Sequence, residues 1–215
     1  MRAADFPDAA LAEALIPHAV DPAVADGAHD MAHLLRVWRN AARIAAVEGG
    51  ELRILQAAVL LHDCVWVDKR SPDRPRASRM AAEKAEGLLA GLGWEAEARA
   101  RACHAIAAHS FSAGIAPENL EARILQDADR LDAIGLIGVA RCFYVAGMSG
   151  RALHDSADPA AQGRPLDDGA FALDHFETKL LRLAEGFTTA EGRRMAAARH
   201  ARLAAFRVGL LEEIG

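Results

Sequence analysis

The chain has little of what would tie it to nucleic acid, to a membrane or to an oxidising compartment. Its 215 residues carry 25 Lys and Arg against 30 Asp and Glu, a formal net charge of -5. A general nucleic-acid or membrane-surface binder would show a basic excess, so those classes are set aside. A local basic pocket for a phosphate is still permitted. Cysteines number three, Cys64, Cys103 and Cys142. They are odd in number, widely spaced and set in apolar helical sequence, so they are expected to be buried free thiols of a reducing cytosol. No apolar run reaches the length needed to span a bilayer, and the stretch Met1 to Asp8 has no signal-peptide h-region. A soluble, cytoplasmic protein is the expectation. Strand-like alternation and internal repeats are missing as well.

What is present is helical. Hydrophobic residues make up 52% and charged residues 26%, which supports a packed core and argues against wholesale disorder. Apolar spacing near 3.6 residues predicts helices over about 8–19, bent or ended by Pro17, then 28–47 and 51–63. Further helices are predicted over 79–91 with Ser78 as cap, 95–110, 117–130, 136–148, 171–184 and 189–213. The polar stretch 149–169, rich in Gly, Pro and Asp, reads as a functional lid or as disorder. The fold class is all-α, a helical bundle. It is expected as one domain over 1–215, with its core at about 20–145 and C-terminal helices at about 168–213 packed on it.

The run Ile54-Leu55-Gln56-Ala57-Ala58-Val59-Leu60-Leu61-His62-Asp63 organises the rest. It is apolar, helix-forming, and ends in an imidazole and a carboxylate. Burying a charge without a partner costs several kcal/mol. A divalent metal would give the pair a reason, because neutral imidazole and carboxylate are both good ligands. A mutually satisfied His-Asp pair or a helix cap is the simpler alternative. Adjacent residues on a helix point about 100° apart, so His62 and Asp63 can meet one ion only at a helix end or a bend. The loop beginning near Val65 provides one. His33 on an earlier helix, and an aspartate among Asp127, Asp129 and Asp132, complete an inward-facing set of the kind helical bundles use for metals. Periodicity does not choose among the three aspartates.

The ordered set His33…His62-Asp63…Asp129 resembles the motif of the HD superfamily of metal-dependent phosphohydrolases. Four further blocks resemble one bacterial branch of it, some of whose members act as nucleotide pyrophosphohydrolases. They are His29-Asp30-Met31-Ala32-His33-Leu34-Leu35-Arg36-Val37, Ala108-His109-Ser110-Phe111-Ser112, Leu125-Gln126-Asp127-Ala128-Asp129-Arg130-Leu131-Asp132-Ala133-Ile134-Gly135 and His175-Phe176-Glu177-Thr178-Lys179-Leu180-Leu181. The resemblance covers about residues 20–190. It implies an HD-domain helical bundle and one divalent metal ion (Mn, Mg, Ni, Co, Fe or Zn) held by His33, His62, Asp63 and Asp129. Asp129 is preferred over Asp127 by the motif alignment alone.

The activity implied is hydrolysis of a pyrophosphate or phosphomonoester bond in a small phosphorylated substrate, a nucleotide, by a metal-activated water. Asp63 is placed to act as base and His109 to contact substrate or water. Lys69, Arg36 and Lys179 are candidates to meet the phosphates, each with a plain surface ion pair as its alternative. Lys179 could instead pair with Asp132. His29, one turn before His33, and Asp132 are expected to support the ligands from behind. His104 is expected in the core or at the surface, and His18, His154 and His200 at the surface. No nucleic-acid polymer or membrane partner is expected, and a homodimer is permitted. The run His29-Asp30-Met31-Ala32-His33 also resembles the two-histidine metalloprotease helix, but with Asp where that chemistry uses Glu. A bundle that binds metal or nucleotide without turnover, as a sensor or scaffold, is the alternative from another class. A Gly-Tyr-Pro block of the cyclic-di-nucleotide branch is missing.

Overall fold

The computed structural model describes residues 1–20, 30–67, 71–110 and 113–215. They are all-α: no strand forms among them, and an isolated bridge joins Ala152 to Phe171. The described helices are α1 (Ala9–Leu15), α2 (Met31–Glu48), α3 (Leu52–Leu61), α4 (Ala77–Gly91), α5 (Ala96–Ala108), α6 (Leu120–Asp132), α7 (Gly135–Met148), α8 (Asp174–Thr178) and α9 (Ala190–Ile214). No single helix among them is long and apolar enough to cross a bilayer. The chain divides into two compact units, 1–129 and 130–215.

In the first unit α3 is the centre. Every residue from Ile54 to Leu61 is buried, so the helix is apolar on all sides and not on one stripe. It packs on α1, α2, α4 and α5. Leu34, Val37, Trp38, Ala41 and Ile44 form the buried stripe of α2, and Ala81, Ala85 and Leu89 that of α4. The polar exception within α3 is Gln56, whose amide accepts from the Asp8 N–H (3.1 Å) and donates to the Asp8 carbonyl (2.7 Å). The start of α3 has no cap from its own Glu51 side chain. Instead the buried Glu121 carboxylate accepts from the Glu51 N–H at 3.0 Å and from Arg101 at 2.7 Å. An otherwise orphaned helix-start N–H is thereby satisfied from 70 residues away.

The second unit is built around Val139 and Cys142 of α7, Leu173, Phe176, Leu180 and Leu203 of α9. Phe176 stacks on Phe206 with ring centroids 6.1 Å apart. The stretch 149–169 is folded against this unit by its own polar groups. Arg164 makes two bonds to the buried Asp174 carboxylate (2.6 and 2.8 Å) and lies over the Phe171 ring.

Helix boundaries differ from expectation where local geometry intervenes. Ser78 does not cap α4: a 3-10 turn at Arg74–Arg76 runs straight into the helix, so Ser78 lies inside its first turn and is buried. The helix expected over 171–184 is the short α8, followed by a 3-10 stretch Leu180–Gly186. The break falls at Lys179, whose backbone (φ -139, ψ -59) leaves the helical region. Helix α6 runs on to Asp132, past the expected end near 130.

Candidate metal centre

Four side chains from three helices meet in the first unit. His33 sits in the first turn of α2, where the Asp30 carboxylate caps the helix by accepting from the His33 N–H at 2.9 Å. This cap fixes the entry of α2 and leaves the His33 ring fully buried. His62 is the residue at which α3 stops, and Asp63 follows it out of the helix. The bend that the sequence required for two adjacent ligands is therefore there. Asp129 projects from the C-terminal part of α6.

The contacts are close. His33 Nε2 and His62 Nε2 stand 3.4 Å apart. His33 Nε2 is 3.8 Å from Asp63 Oδ2 and 3.5 Å from Asp129 Oδ1. His62 Nε2 is 3.5 Å from Asp63 Oδ2 and 3.9 Å from Asp129 Oδ1. Donors about 2.1 Å from a tetrahedral ion stand roughly 3.4 Å from one another. The donor set and its spacing therefore fit a divalent cation. Of the three candidate aspartates, geometry brings Asp129 to the imidazoles; Asp127 is fully buried on the same helix.

The imidazoles are aimed by the backbone. His62 Nδ1 lies 2.8 Å from the Val59 carbonyl, three residues back. A carbonyl can only accept, so Nδ1 carries the proton and Nε2 presents its lone pair to the cluster. His109 repeats the device at the end of α5: it is the residue after the helix, and its Nδ1 lies 2.6 Å from the Ile106 carbonyl. Its Nε2 is 3.7 Å from Asp63 Oδ1, and its ring meets that of His62 edge-on at 4.8 Å. His62, Asp63 and His109 thus form a second group able to hold an ion, beside His33, His62 and Asp129. Asp63 faces the imidazole pair with one oxygen and His109 with the other.

Electrostatics follow from this packing. Burial pushes the His62 pKa down and outweighs the attraction of Asp63, so its imidazole stays neutral, as a ligand must. Burial alone would raise the Asp63 carboxyl, but His62, His109 and His33 around it hold it well below the usual carboxylate range. For His109 burial is again opposed, and the hydrogen bond and charge of Asp63 win, raising its pKa.

Other sequence candidates are placed as follows. Arg36 is half-buried on α2, one turn beyond His33. Lys69 and His29 lie outside the described residues. In the second unit Asp132 is buried and ion-paired with Arg141 at 2.8 Å, while Lys179 is exposed. His104 faces away from His109 and accepts from the Glu118 N–H at 3.0 Å. His104 lies within α5, whereas His109 is the residue that follows it. Two buried amides escaped the sequence reading. Asn40 donates to the Ala128 carbonyl (3.1 Å) and Gln126 to the Ala108 carbonyl (2.9 Å). The first ties α2 to α6 next to Asp129, the second ties α6 to the turn before His109. A lone amide within an apolar stripe, as at Asn40 between Trp38 and Ala41, was the available signal.

Comparison with known proteins gives the family. Residues 31–134 match the HD domain family. YpgQ of Bacillus subtilis is 35% identical over 176 residues, 80% of this chain and 78% of that protein. The chain belongs to the HD superfamily. Solved structures similar to it include two from Bacillus species. A Bacillus thuringiensis HD-superfamily hydrolase is 31% identical and covers 86% of each chain, with a TM-score of 0.66. Bacillus subtilis YpgQ in complex with ADP is 32% identical, again over 86% of each chain, with a TM-score of 0.67. The cluster at His33, His62, Asp63 and Asp129 is therefore read within an HD phosphohydrolase fold.

Proposed function

We propose that this HD protein is a cytoplasmic metal-dependent phosphohydrolase that cleaves a phosphoanhydride or phosphomonoester bond in a small nucleotide. The observation that carries the reading is the convergence of two imidazole nitrogens and two carboxylates, each nitrogen within 3.9 Å of both acids. Like-charged carboxylates and bare imidazole lone pairs crowd one another unless a cation lies among them. His33, His62, Asp63 and Asp129 would hold a divalent ion, which when bound polarises a phosphoryl oxygen and acidifies a water. Asp63 spans the cluster and His109, and so holds the attacking water and receives its proton. His109, aimed by the Ile106 carbonyl, steadies that proton on the same side. Arg36 is proposed to offset phosphate charge. The nucleotide is supported by the ADP complex of YpgQ, a relative of this chain.

The test is metal analysis of protein purified without chelator, followed by assay with Mn, Mg, Ni and Co on a nucleotide panel. The comparison variant is the double substitution His62→Ala/Asp63→Ala. Metal-dependent release of phosphate or pyrophosphate, absent in the variant, is expected and identifies the bond cleaved. Wild-type protein that holds metal but releases neither would replace this reading with a metal-binding sensor. In Asp63→Asn with metal retained, turnover at the wild-type rate would end the role of Asp63 as base.

A further inference from the structure

We propose that a cleft beside Trp66 is the nucleoside subsite, with the base stacked on the indole and the phosphates directed back toward Asp63. This rests on the hydrolase reading above and names the part of the substrate that the metal cluster does not touch. The cleft lies wholly within the first unit and has a volume of about 370 Å³. That lies within the range of small-molecule sites, roughly 300–1,000 Å³. Its walls are Pro17, Val20, Val65 and Trp66, with His18 and Lys84 as the polar members. An indole and aliphatic side chains beside backbone polar groups, an imidazole and one cation match a molecule with a flat aromatic part and an anionic part.

Trp66 is what makes the cleft more than a dent. Of the three tryptophans, Trp38 and Trp94 are 6% and 5% exposed, whereas Trp66 is 48% exposed. A single apolar side chain at a surface needs no explanation. A half-exposed indole lining a cavity is different, because an accessible indole is a stacking group that every base can use. The loop carrying it is held in place. Lys84 donates to the Cys64 carbonyl at 2.9 Å and to the His18 carbonyl at 3.4 Å, and Cys64 Sγ donates to the Ala81 carbonyl at 3.7 Å. Two of the three Lys84 protons are thus assigned. Its charge remains at the cleft wall and the third proton is available to a ribose oxygen or phosphate.

Chain length ties the cleft to the chemistry. Trp66 is three residues after Asp63, and an extended chain covers at most about 3.6 Å per residue, so their Cα atoms are no more than roughly 11 Å apart. That span is within the length of one nucleotide; the cleft walls themselves hold none of the four cluster side chains. Stacking is tolerant of sequence, and the two carbonyls nearest the cation are already taken by Lys84. The subsite therefore selects for the presence of a base more than for its identity.

The test pairs binding with turnover. ADP is titrated into the wild type and into Trp66→Phe, and tryptophan fluorescence and its quenching by acrylamide are read. Trp38 and Trp94 are shielded, so the ADP-dependent change is expected in the wild type and lost in Trp66→Phe. In steady state with Mn, kcat/KM is measured for a nucleoside triphosphate and for inorganic triphosphate, which lacks a base. Trp66→Ala is expected to lower the ratio of the two about tenfold, the size of a lost base–aromatic stack. Trp66→Phe is expected to restore most of it. An unchanged ratio in Trp66→Ala, or an ADP signal that persists in Trp66→Phe, overturns the subsite while nucleotide turnover stands. Trp66-dependent ADP binding without any hydrolysis supports the subsite and overturns the hydrolase reading.

Discussion

Asp129→Asn, set against Asp127→Asn, separates ligand from scaffold on a single helix. The two side chains are two residues apart on α6. Asp129 is 30% exposed and lies 3.5 Å from His33 Nε2, while Asp127 is fully buried. Suppose Mn is supplied at a hundred times its dissociation constant. Binding then stabilises the wild type by about 2.7 kcal/mol. For a chain of this size 1 kcal/mol shifts Tm by about 2–4 °C, so Mn should raise Tm by about 5–11 °C. Changes behind a metal ligand cost about 10–100-fold in affinity, so loss of a ligand itself should cost at least about 100-fold. At the same Mn concentration the gain in Asp129→Asn then falls to about 0.4 kcal/mol, a shift of only about 1 °C. Asp127→Asn should behave the opposite way. Its metal-free Tm drops, because an unsatisfied buried group costs about 1–3 kcal/mol, but the Mn-induced rise survives in whatever fraction is folded. Differential scanning fluorimetry with and without Mn reads both numbers. Equal Mn-induced shifts in wild type and Asp129→Asn would refute the assignment of Asp129.

Three further outcomes are expected. Asn40→Leu removes the amide that ties α2 to the Ala128 carbonyl, and should weaken Mn affinity about tenfold in calorimetric titration; unchanged affinity with lowered stability would make Asn40 a packing residue only. Arg164→Met strips the buried Asp174 carboxylate of its two guanidinium bonds and should destabilise the second unit, read as a lower Tm. The hydrogen bonds from Arg164 hold the Asp174 carboxyl below its ordinary 3.8 in the folded protein. Stability from this pair is therefore full above about pH 4 and is lost as pH falls through the lowered folded value, so Arg164→Met should begin acid unfolding at higher pH in circular dichroism. Burial pushes the Cys64 and Cys142 thiols up to about 11, so both should resist iodoacetamide at pH 8 and react once the chain is unfolded; labelling of either in the native protein, read by mass spectrometry, would contradict their packing.

Much of this molecule can be read from residue order alone, for identifiable reasons. The run from Ile54 to Leu61, apolar but for Gln56, has to be a central helix, because no single-faced element has so few polar positions. The His62-Asp63 pair at its end has to leave the helix, because 100° between neighbours keeps both from one point. The spacing of His104 and His109 keeps both from one point unless the helix ends near His109; the helix does end there, and His104 still turns to the Glu118 N–H. These are local rules of helix geometry, and local rules survive without knowledge of the rest of the chain.

Tertiary structure decided what local rules leave degenerate. Asp127, Asp129 and Asp132 all have apolar neighbours one turn away, and only the rotation of α6 against α2, held in part by Asn40, turns Asp129 toward the imidazoles. The orientation of His62 and His109 depends on backbone carbonyls of Val59 and Ile106, freed at the C-terminal ends of α3 and α5. Whether Trp66 is covered or open could not be read from its neighbours. The sequence by itself determined which elements form and which residue types could meet. Burial and side-chain direction arise when helices pack, and that packing chose which of them do.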